Sequence, residues 1–324
     1  MIDLPQPFLF ISFLLFQGSL TSPPEPVILK TDAAIIYDIC FFDSGNSLAV
    51  ADGDRLKTFS SESGNLSFTL PVVHKGQILS FDISRDNTML VSGGRDSLMV
   101  YWNLVDRQLS RIINPSIGLI TSIKISSAGK LIAAGGTARK LVIYDFSGNK
   151  VREYNDHSDD ITDIAFSNDG RYLATAGADN MIFLYDNHAG IRLTGLARHT
   201  RWVRSISFNF DNTKLISCGD DSKVVIWNIS DPDHPSLHSE IKLKADWLLS
   251  IDYAGNGNSF AVGGLNGKAR VIGDVSFYSD RVGRPIQKIK FRPGTGIYFE
   301  IAVASRGKGV ILFDSRDFKL NEGD

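Results

Sequence analysis

The chain has few cysteines and no block of one charge, and each scarcity excludes a class of protein. Cys40 and Cys218 are the two cysteines among 324 residues, so a disulfide-built scaffold is excluded. We interpret both as small buried strand residues. Lysine and arginine number 34 against 36 aspartates and glutamates, without a basic stripe. We therefore expect no nucleic acid as a direct partner.

The chain also lacks an apolar run long enough to cross a membrane. The run FLFISFLLF at residues 8–16 falls short of the roughly 20 residues a span requires. With the small, polar and proline residues that follow, it is typical of a secretory signal peptide. We expect residues 1–25 to be a signal-peptide-like segment with a proline-rich linker, in a secreted or periplasmic protein. Because Asp3 but no lysine or arginine precedes the run, a cytoplasmic protein is the alternative.

Helical periodicity is missing as well, and a strand-and-turn repeat takes its place. Seven short apolar strands recur at steps of 42, 42, 41, 42, 45 and 38 residues, with central residues Ile39, Phe81, Ile123, Ile164, Ile206, Ile251 and Ile289. Each copy continues with a polar turn, a strand ending in small residues, a strand ending in an aromatic, and a more polar fourth strand. A period of about 40–45 residues with four strands predicts an all-β, seven-bladed β-propeller of four-stranded antiparallel blades.

The two ends of the repeat predict how the ring closes. The last unit ends near Phe313 and Asp314 with three strands, while the strand-like segment PVILK at 26–30 precedes the first unit. We expect this N-terminal strand to complete the last blade, because joining the chain ends in one sheet removes an exposed edge. The predicted propeller covers residues 26–318, and residues 319–324 form a polar tail.

Three units share a set of polar and aromatic residues at fixed spacing. The sets are His74, Ser92, Asp96 and Trp102; His157, Thr175, Asp179 and Tyr185; and His199, Ser217, Asp221 and Trp227. Histidine and aspartate are 22 residues apart in each set. At these points the sequence resembles the WD-40 repeat family, over roughly residues 30 to 320. The resemblance implies that each set forms a structural hydrogen-bonded network inside one blade.

The chemistry of these sets explains such a network. Imidazole can donate to the carboxylate and share a hydrogen bond with the hydroxyl, which accepts from the indole N–H. Tyr185 alters that last link in the second set. Serine, histidine and aspartate also suggest a hydrolase, but a catalytic triad is needed once and the set occurs three times. We therefore expect no enzyme, no catalytic residue, no metal and no cofactor.

The remaining units depart from this pattern. Ser116 and Ala138 stand where the third unit would have histidine and aspartate. Gly267 and Gly273 are assigned to the aspartate and tryptophan positions of the sixth unit, and Gly307 to the aspartate position of the seventh. We expect these blades to depend on apolar packing.

The resemblance also implies where a partner binds. Such propellers often use one face, near the start of the innermost strand and at the residue before the tetrad aspartate. These positions correspond to Gln77, Arg95, Asp160, Trp202, Arg204, Asp220 and Trp247. Tryptophan and arginine are enriched at binding hot spots, and the 45-residue spacing predicts equivalent places for the two tryptophans. The alternative is that both pack between blades.

These observations favour a non-catalytic protein- or peptide-binding scaffold that is a monomer. Two alternatives remain open. One is an enzyme or small-ligand sensor with its site in the central funnel, and the other is an accessory domain split from a larger regulatory protein.

Overall fold

The computed structural model describes most of the chain after residue 25. The described residues are 26–127, 130–244, 246–255, 257–273, 277–279, 282, 284–294, 300–314 and 319–320. The signal-like segment 1–25 and residues 321–324 of the expected tail lie outside them. Within this part of the chain the helical structure is one 3₁₀ turn, Asp43–Gly45. No helix there has the length and apolar character needed to cross a membrane.

The described strands form seven antiparallel sheets arranged as a propeller, which confirms the predicted fold class. Blade 1 contains β2 (Ile39–Phe42), β3 (Ser47–Asp52), β4 (Arg55–Ser60) and β5 (Leu66–Thr69). Blade 2 contains β6 (Ile78–Ile83), β7 (Met89–Gly94), β8 (Met99–Asn103) and β9 (Gln108–Ile113). Blade 3 contains β10 (Ile120–Ile125), β11 (Leu131–Gly136), β12 (Leu141–Asp145) and β13 (Lys150–Tyr154). Blades 4 and 5 contain β14 (Ile161–Phe166), β15 (Tyr172–Gly177), β16 (Met181–Asp186), β17 (Ile191–Ala197); and β18 (Val203–Phe208), β19 (Lys214–Gly219), β20 (Lys223–Asn228), β21 (Ser236–Lys242). Blade 6 contains β22 (Leu248–Tyr253), β23 (Phe260–Gly264), β24 (Ala269–Ile272), β25 (Phe277–Tyr278) and β29 (Lys319–Leu320). Blade 7 contains β26 (Ile286–Phe291), β27 (Glu300–Ser305), β28 (Gly309–Asp314) and the N-terminal strand β1 (Val27–Leu29).

The ring closes through the N-terminal strand, as predicted. Strand β1 pairs antiparallel with β28, with Val27 opposite Leu312 and Leu29 opposite Val310. The C-terminal prediction was wrong in part. Strand β29, inside the expected polar tail, pairs with β25 and adds a fifth strand to blade 6. Two residues have too little apolar periodicity for a sequence pattern to identify them as a strand.

The apolar core lies between the blades rather than inside any one of them. The described residues form seven buried apolar clusters, and each cluster joins two neighbouring blades. Small residues at the ends of the second strands make this packing possible. A Cβ atom on Gly93 would lie 2.6 Å from Ile120 of the next blade, and one on Gly135 would lie 2.6 Å from Ile161. One blade therefore cannot complete its core without its neighbour.

Candidate interaction surface

The first tetrad, in blade 2, forms a continuous hydrogen-bonded chain. Nδ1 of His74 lies 2.9 Å from a carboxylate oxygen of Asp96, and Nε2 lies 2.8 Å from Oγ of Ser92. The indole N–H of Trp102 donates to the same hydroxyl at 3.0 Å. Because an ionised carboxylate only accepts, the proton is on Nδ1, and Nε2 accepts from the serine. The network therefore satisfies every polar group in the set.

The tetrads of blades 4 and 5 repeat the histidine contacts but end differently. His157 contacts Thr175 and His199 contacts Ser217, each at 2.8 Å. The phenol of Tyr185 donates to Asp156 at 3.1 Å. Nε1 of Trp227 is buried and makes no hydrogen bond within the described part of the chain. The altered link at the tyrosine was expected, whereas the one at Trp227 was not.

Each tetrad aspartate joins two loops of its blade. Asp221 accepts from the backbone N–H of Thr200, in the connection that enters the blade, at 3.0 Å. It also accepts from Lys223 N–H, in the turn between the second and third strands, at 3.2 Å. The tetrad hydroxyls are sealed beneath these loops, with Ser92, Thr175 and Ser217 each 0% exposed. A nucleophile has to reach its substrate, so this burial supports a structural role.

Hydrogen bonding holds two of these carboxylates in the ionised form. Burial raises the pKa of Asp179. The hydrogen bond and charge of His157, together with two backbone N–H groups, lower the pKa by more than burial raises it, so it lies below its usual range. The same balance, with His199 as the main lowering partner, sets the pKa of Asp221 below its usual range.

Gly267 and Gly273 do not occupy the positions expected for them in blade 6. Asn266 takes the aspartate position, and its side chain accepts from Lys268 N–H at 3.1 Å, as the tetrad aspartates accept from their own turns. Ile272 faces Phe260 in the register that Trp102 has with Leu90 in blade 2. The assignment was one residue too far along: Asn266 follows Ile251 by 15 residues, the same spacing as from Ile206 to Asp221.

Blade 1 has no tetrad, yet its loops are joined by another pair that the sequence analysis missed. The buried carboxylate of Asp52 accepts from the backbone N–H groups of Asp32, at 2.9 Å, and Ala33, at 2.6 Å. Lys57 lies 2.6 Å from both Asp52 and Asp32. We call Asp32, Ala33, Asp52 and Lys57 the closure clasp, because it fastens the connection from β1 to β2.

Four of the predicted binding residues come together where blades 5 and 6 meet, at the start of their innermost strands. The guanidinium of Arg204 donates twice to Asp220, at 2.7 Å each. It also stacks against both tryptophans, with Cζ 4.5 Å from the Trp202 ring centre and 5.5 Å from that of Trp247. The backbone carbonyl of Trp202 accepts a hydrogen bond from Asp220 N–H at 3.0 Å. In the next blade the carbonyl of Trp247 accepts the equivalent bond from Leu265 N–H, also at 3.0 Å. The equivalence expected from their spacing is therefore present.

This cluster, which we call the Trp–Arg groove, is open to solvent. The side chains of Trp202 and Trp247 are 42% and 41% exposed. With Ala178, Asn180 and Arg201 nearby, the groove encloses a volume of about 420 Å³. The ion pair fixes the arginine, and the arginine in turn orients both indoles.

The other predicted binding residues lie elsewhere on the same face. In blade 2, Nε of Arg95 donates to Gln77 at 3.0 Å, and its guanidinium lies 6.0 Å from the Tyr37 ring. Asp160 is in blade 4, where burial and then the charge of Asp159 raise the pKa of its carboxyl. The seven candidates therefore form two clusters and a separate carboxylate rather than one site.

Comparison with protein families agrees with this geometry. The model of the WD domain, G-beta repeat, matches residues 64–103, 148–186 and 190–228, the segments that end at the aromatic strands of blades 2, 4 and 5. This chain is a WD-repeat β-propeller. The matched segments contain all three complete tetrads. From the blades without a tetrad they include only the fourth strands β5 and β13.

Several curated relatives resemble this WD-repeat propeller over half of its length or more. Actin-interacting protein 1 of Caenorhabditis elegans is 26% identical over 63% of this chain and 34% of its own length. The 66 kDa stress protein of Physarum polycephalum is 30% identical over 70% of this chain and 39% of its own. Target of rapamycin complex subunit wat1 of Schizosaccharomyces pombe is 23% identical over 63% and 65%. The chain thus spans little more than a third of the first two relatives.

The two faces of the WD-repeat propeller differ in charge, although the whole chain is close to neutral. We define the upper face as the connections that enter each innermost strand and the turns between second and third strands. Its exposed basic residues among those described are Lys30, Lys75, Arg95, Arg139, Arg198, Arg201, Lys244, Lys268, Arg284, Arg306 and Lys308. Its exposed acidic residues are Asp32, Asp54, Asp159 and Asp246. The upper face, which contains the Trp–Arg groove, is therefore basic.

The lower face consists of the turns after the innermost strands and those between third and fourth strands. Its exposed acidic residues among those described are Asp43, Glu62, Asp86, Asp106, Asp169, Asp211, Asp231 and Asp233. The exposed basic residues there are Arg85, Arg107, Lys130 and Arg171. This face is acidic, and composition alone could not reveal the separation because the chain as a whole is close to neutral.

A ring of polar side chains inside the central channel was also missed from the sequence. Asp38 accepts from Phe81 N–H, Ser80 from Ile123 N–H, Ser122 from Ile164 N–H, Asp163 from Ile206 N–H and Ser250 from Ile289 N–H, all at 3.0–3.1 Å. Each bond joins one blade to the next, where the innermost strands have no shared ladder to satisfy these backbone groups. The signal was visible as a polar residue directly before each central strand residue.

Ionic groups complete this ring and line the channel. Lys288 of blade 7 lies 3.3 Å from Asp38 of blade 1, and Lys290 lies 2.6 Å from Asp252. Burial lowers the pKa of Lys124, but the carboxylates of Asp38, Asp82 and Asp163 raise it by more, so the pKa lies above its usual value. The channel side chains thus fasten the blades by charge and hydrogen bonding.

Proposed function

We propose that this WD-repeat propeller is a non-catalytic scaffold that binds a protein or peptide partner through the Trp–Arg groove. The observation that carries the proposal is the pair of half-exposed indoles held on either side of Arg204. Aromatic and arginine side chains that are already ordered lose little entropy on binding, which makes them effective hot spots.

The relatives support the same class of function. Their names describe an actin-interacting protein, a subunit of a target of rapamycin complex and a transcription factor. These names concern interaction, assembly and regulation. They refer to proteins of which this chain matches a part, so the partner itself has to come from experiment.

The test is partner capture by the purified propeller, with bound proteins identified by mass spectrometry. The double variant Trp202→Ala, Trp247→Ala is expected to weaken capture at least tenfold, because each hot-spot truncation costs about 2 kcal/mol or more. Its melting temperature should stay close to that of the wild type. The matched control is Phe210→Ala, an aromatic that is 67% exposed on the lower face. Capture that survives in the double variant would rule out the groove as the binding site.

A small-ligand or catalytic site in the central channel is the alternative. Charged groups do converge there, at a cavity of about 310 Å³ that includes Asp82, Lys124 and Lys290. Their chemistry favours a structural role. Burial lowers the pKa of Lys290, but the charge of Asp252 raises it by more, so the amine stays protonated. Burial raises the pKa of Asp38, but nearby lysines, Lys288 foremost, lower it by more, so the carboxyl stays ionised. Groups held in one charge state are poor general acids or bases near neutral pH. Lys124→Met would abolish a channel activity and leave partner capture unchanged.

We propose a cytoplasmic monomer rather than an exported protein. Two relatives are named as a target of rapamycin complex subunit and as a transcription factor, and these names support a location inside the cell. Cell fractionation and N-terminal sequencing of the mature protein test this. A mature chain beginning after the apolar run would restore export, and a mass from light scattering twice that of the chain would exclude the monomer.

A further inference from the structure

We propose that the partner segment bound by the Trp–Arg groove is an acidic peptide that carries an apolar or aromatic anchor residue. This inference rests on the proposed function and adds the chemistry of the partner. It follows from two independent observations: the charge of the surface around the groove, and the state of Arg204 inside it.

The charge around the groove is positive although its centre is neutral. The two hydrogen bonds to Asp220 neutralise Arg204, so its role inside the groove is to hold the indoles. Arg201 and Lys242 line the adjoining recess beside Trp247, and both are exposed. Lys244 follows in the same connection, and Asp246 is the exposed carboxylate facing them.

The rest of the upper face continues this positive field. Exposed lysines and arginines occur on blades 2, 3, 6 and 7 of this face, whereas the lower face has an excess of carboxylates. Complementary charge accelerates encounter and rejects partners of the same sign. An acidic segment is therefore attracted to the upper face and repelled from the lower one.

The shape of the groove favours a peptide over other anionic macromolecules. The indoles stack on Arg204 and line a recess, whereas a membrane anchor needs aromatic side chains free to enter the lipid. The basic groups are distributed singly around the ring instead of forming the continuous stripe that tracks a nucleic-acid backbone. In this arrangement the apolar anchor of the peptide packs against the exposed parts of the indoles, and its acidic neighbours lie near Arg201 and Lys242.

The experiment is an unbiased selection from a random 12-residue peptide library on the full chain, with counter-selection on the Trp202→Ala, Trp247→Ala variant. The enriched peptides are expected to have net negative charge and at least one aliphatic or aromatic residue. The best of them should bind at least tenfold more weakly when the salt concentration is raised from 50 to 300 mM, because screening removes the charge attraction. The triple variant Arg201→Glu, Lys242→Glu, Lys244→Glu should lose at least tenfold in affinity, and the lower-face control Arg85→Glu less than twofold.

The contrary outcomes are equally specific. Enriched peptides that are neutral or basic, or a selection that yields none dependent on the tryptophans, would overturn the acidic-peptide proposal. So would tighter binding to phosphatidylserine vesicles or to oligo(dT) than to any selected peptide. Partner capture could depend on Trp202 and Trp247 and yet be unchanged by salt and by the triple variant. That result would support the scaffold function and contradict only the acidic-peptide proposal.

Discussion

Blades 4 and 5 fasten their loops with buried histidine–aspartate networks, whereas blades 1 and 3 achieve the same join without a histidine. In blade 5 the carboxylate of Asp221 bridges two loops and contacts His199. In blade 1 the closure clasp does this with Asp52 and Lys57. In blade 3 the buried Ile117 accepts from Ala138 N–H at 2.9 Å through its backbone. The fold needs the loops joined, and several chemistries satisfy that need.

The difference teaches where the stability of the ring is concentrated. A tetrad places several buried polar groups in one mutually dependent network, so loss of one member leaves the others without partners. The join in blade 3 depends on fewer groups, because it consists of one backbone hydrogen bond and the buried side chain of Ile117. We therefore expect equivalent positions in different blades to respond unequally to substitution.

The largest effect should come from Asp221→Ala. It removes the partner of His199 and of two backbone N–H groups, and we expect a loss of about 3 kcal/mol in the free energy of unfolding. Asn266→Ala is the matched control, since Asn266 holds the same position in blade 6 with one such bond, and it should cost about 1 kcal/mol or less. Urea denaturation followed by tryptophan fluorescence measures both. Equal losses would show that the tetrad adds nothing beyond its turn contact.

The closure clasp should follow. Asp52→Ala leaves the N–H groups of Asp32 and Ala33 without their acceptor, and we expect a loss of about 2 kcal/mol. Because the clasp lies beside the closing strand, hydrogen exchange should accelerate first at residues 27–33. Asp54→Ala, two residues away and exposed, should change stability by less than about 0.5 kcal/mol. Unchanged exchange at 27–33 would separate the clasp from ring closure.

A smaller contrast separates the two tetrad tryptophans. Trp102→Phe removes the hydrogen bond to Ser92, whereas Trp227→Phe removes an indole N–H that has no partner in the described residues. Both lose similar volume, so the hydrogen bond should make Trp102→Phe worse by about 1 kcal/mol. Thermal unfolding of the two variants side by side gives the difference. A larger loss at Trp227 would mean that its indole has a partner in solution.

The smallest effect concerns pH. The pKa of Asp179 lies below its usual range in the folded chain, so its contribution to stability is present above the unfolded value near pH 4 and disappears as the pH falls through the folded value. The difference in melting temperature between wild type and Asp179→Asn should therefore be constant from pH 7 to about pH 5 and shrink below about pH 4. A difference that grows on acidification would contradict the ionised state of this carboxylate.

Much of the fold could be predicted because its signals repeat. The strand period, the seven copies and the closing strand each follow from a pattern read along the chain, and the structure confirms them. Asn266 also follows from this pattern, 15 residues after Ile251, although the sequence analysis assigned that position to Gly267. The strand at Lys319–Leu320 could not be obtained in this way. That strand depends on pairing between residues about 40 positions apart.

The candidate site divides along the same line. Trp202 and Trp247 could be assigned to equivalent positions from their spacing alone. That Arg204 stands between them while paired to Asp220 could not, since it depends on how two blades meet. The closure clasp and the charged faces likewise join residues with no local pattern in common.

By itself the sequence determined the repeat unit, the number of blades and the composition of each tetrad, because these are periodic and each period is set by local strand and turn chemistry. The tertiary structure alone decided which residues fill the gaps between blades, where the ring is fastened, and how positive and negative side chains separate onto opposite faces. Those outcomes arise where neighbouring repeats meet in space, and contacts across such junctions are formed by residues that the chain keeps far apart.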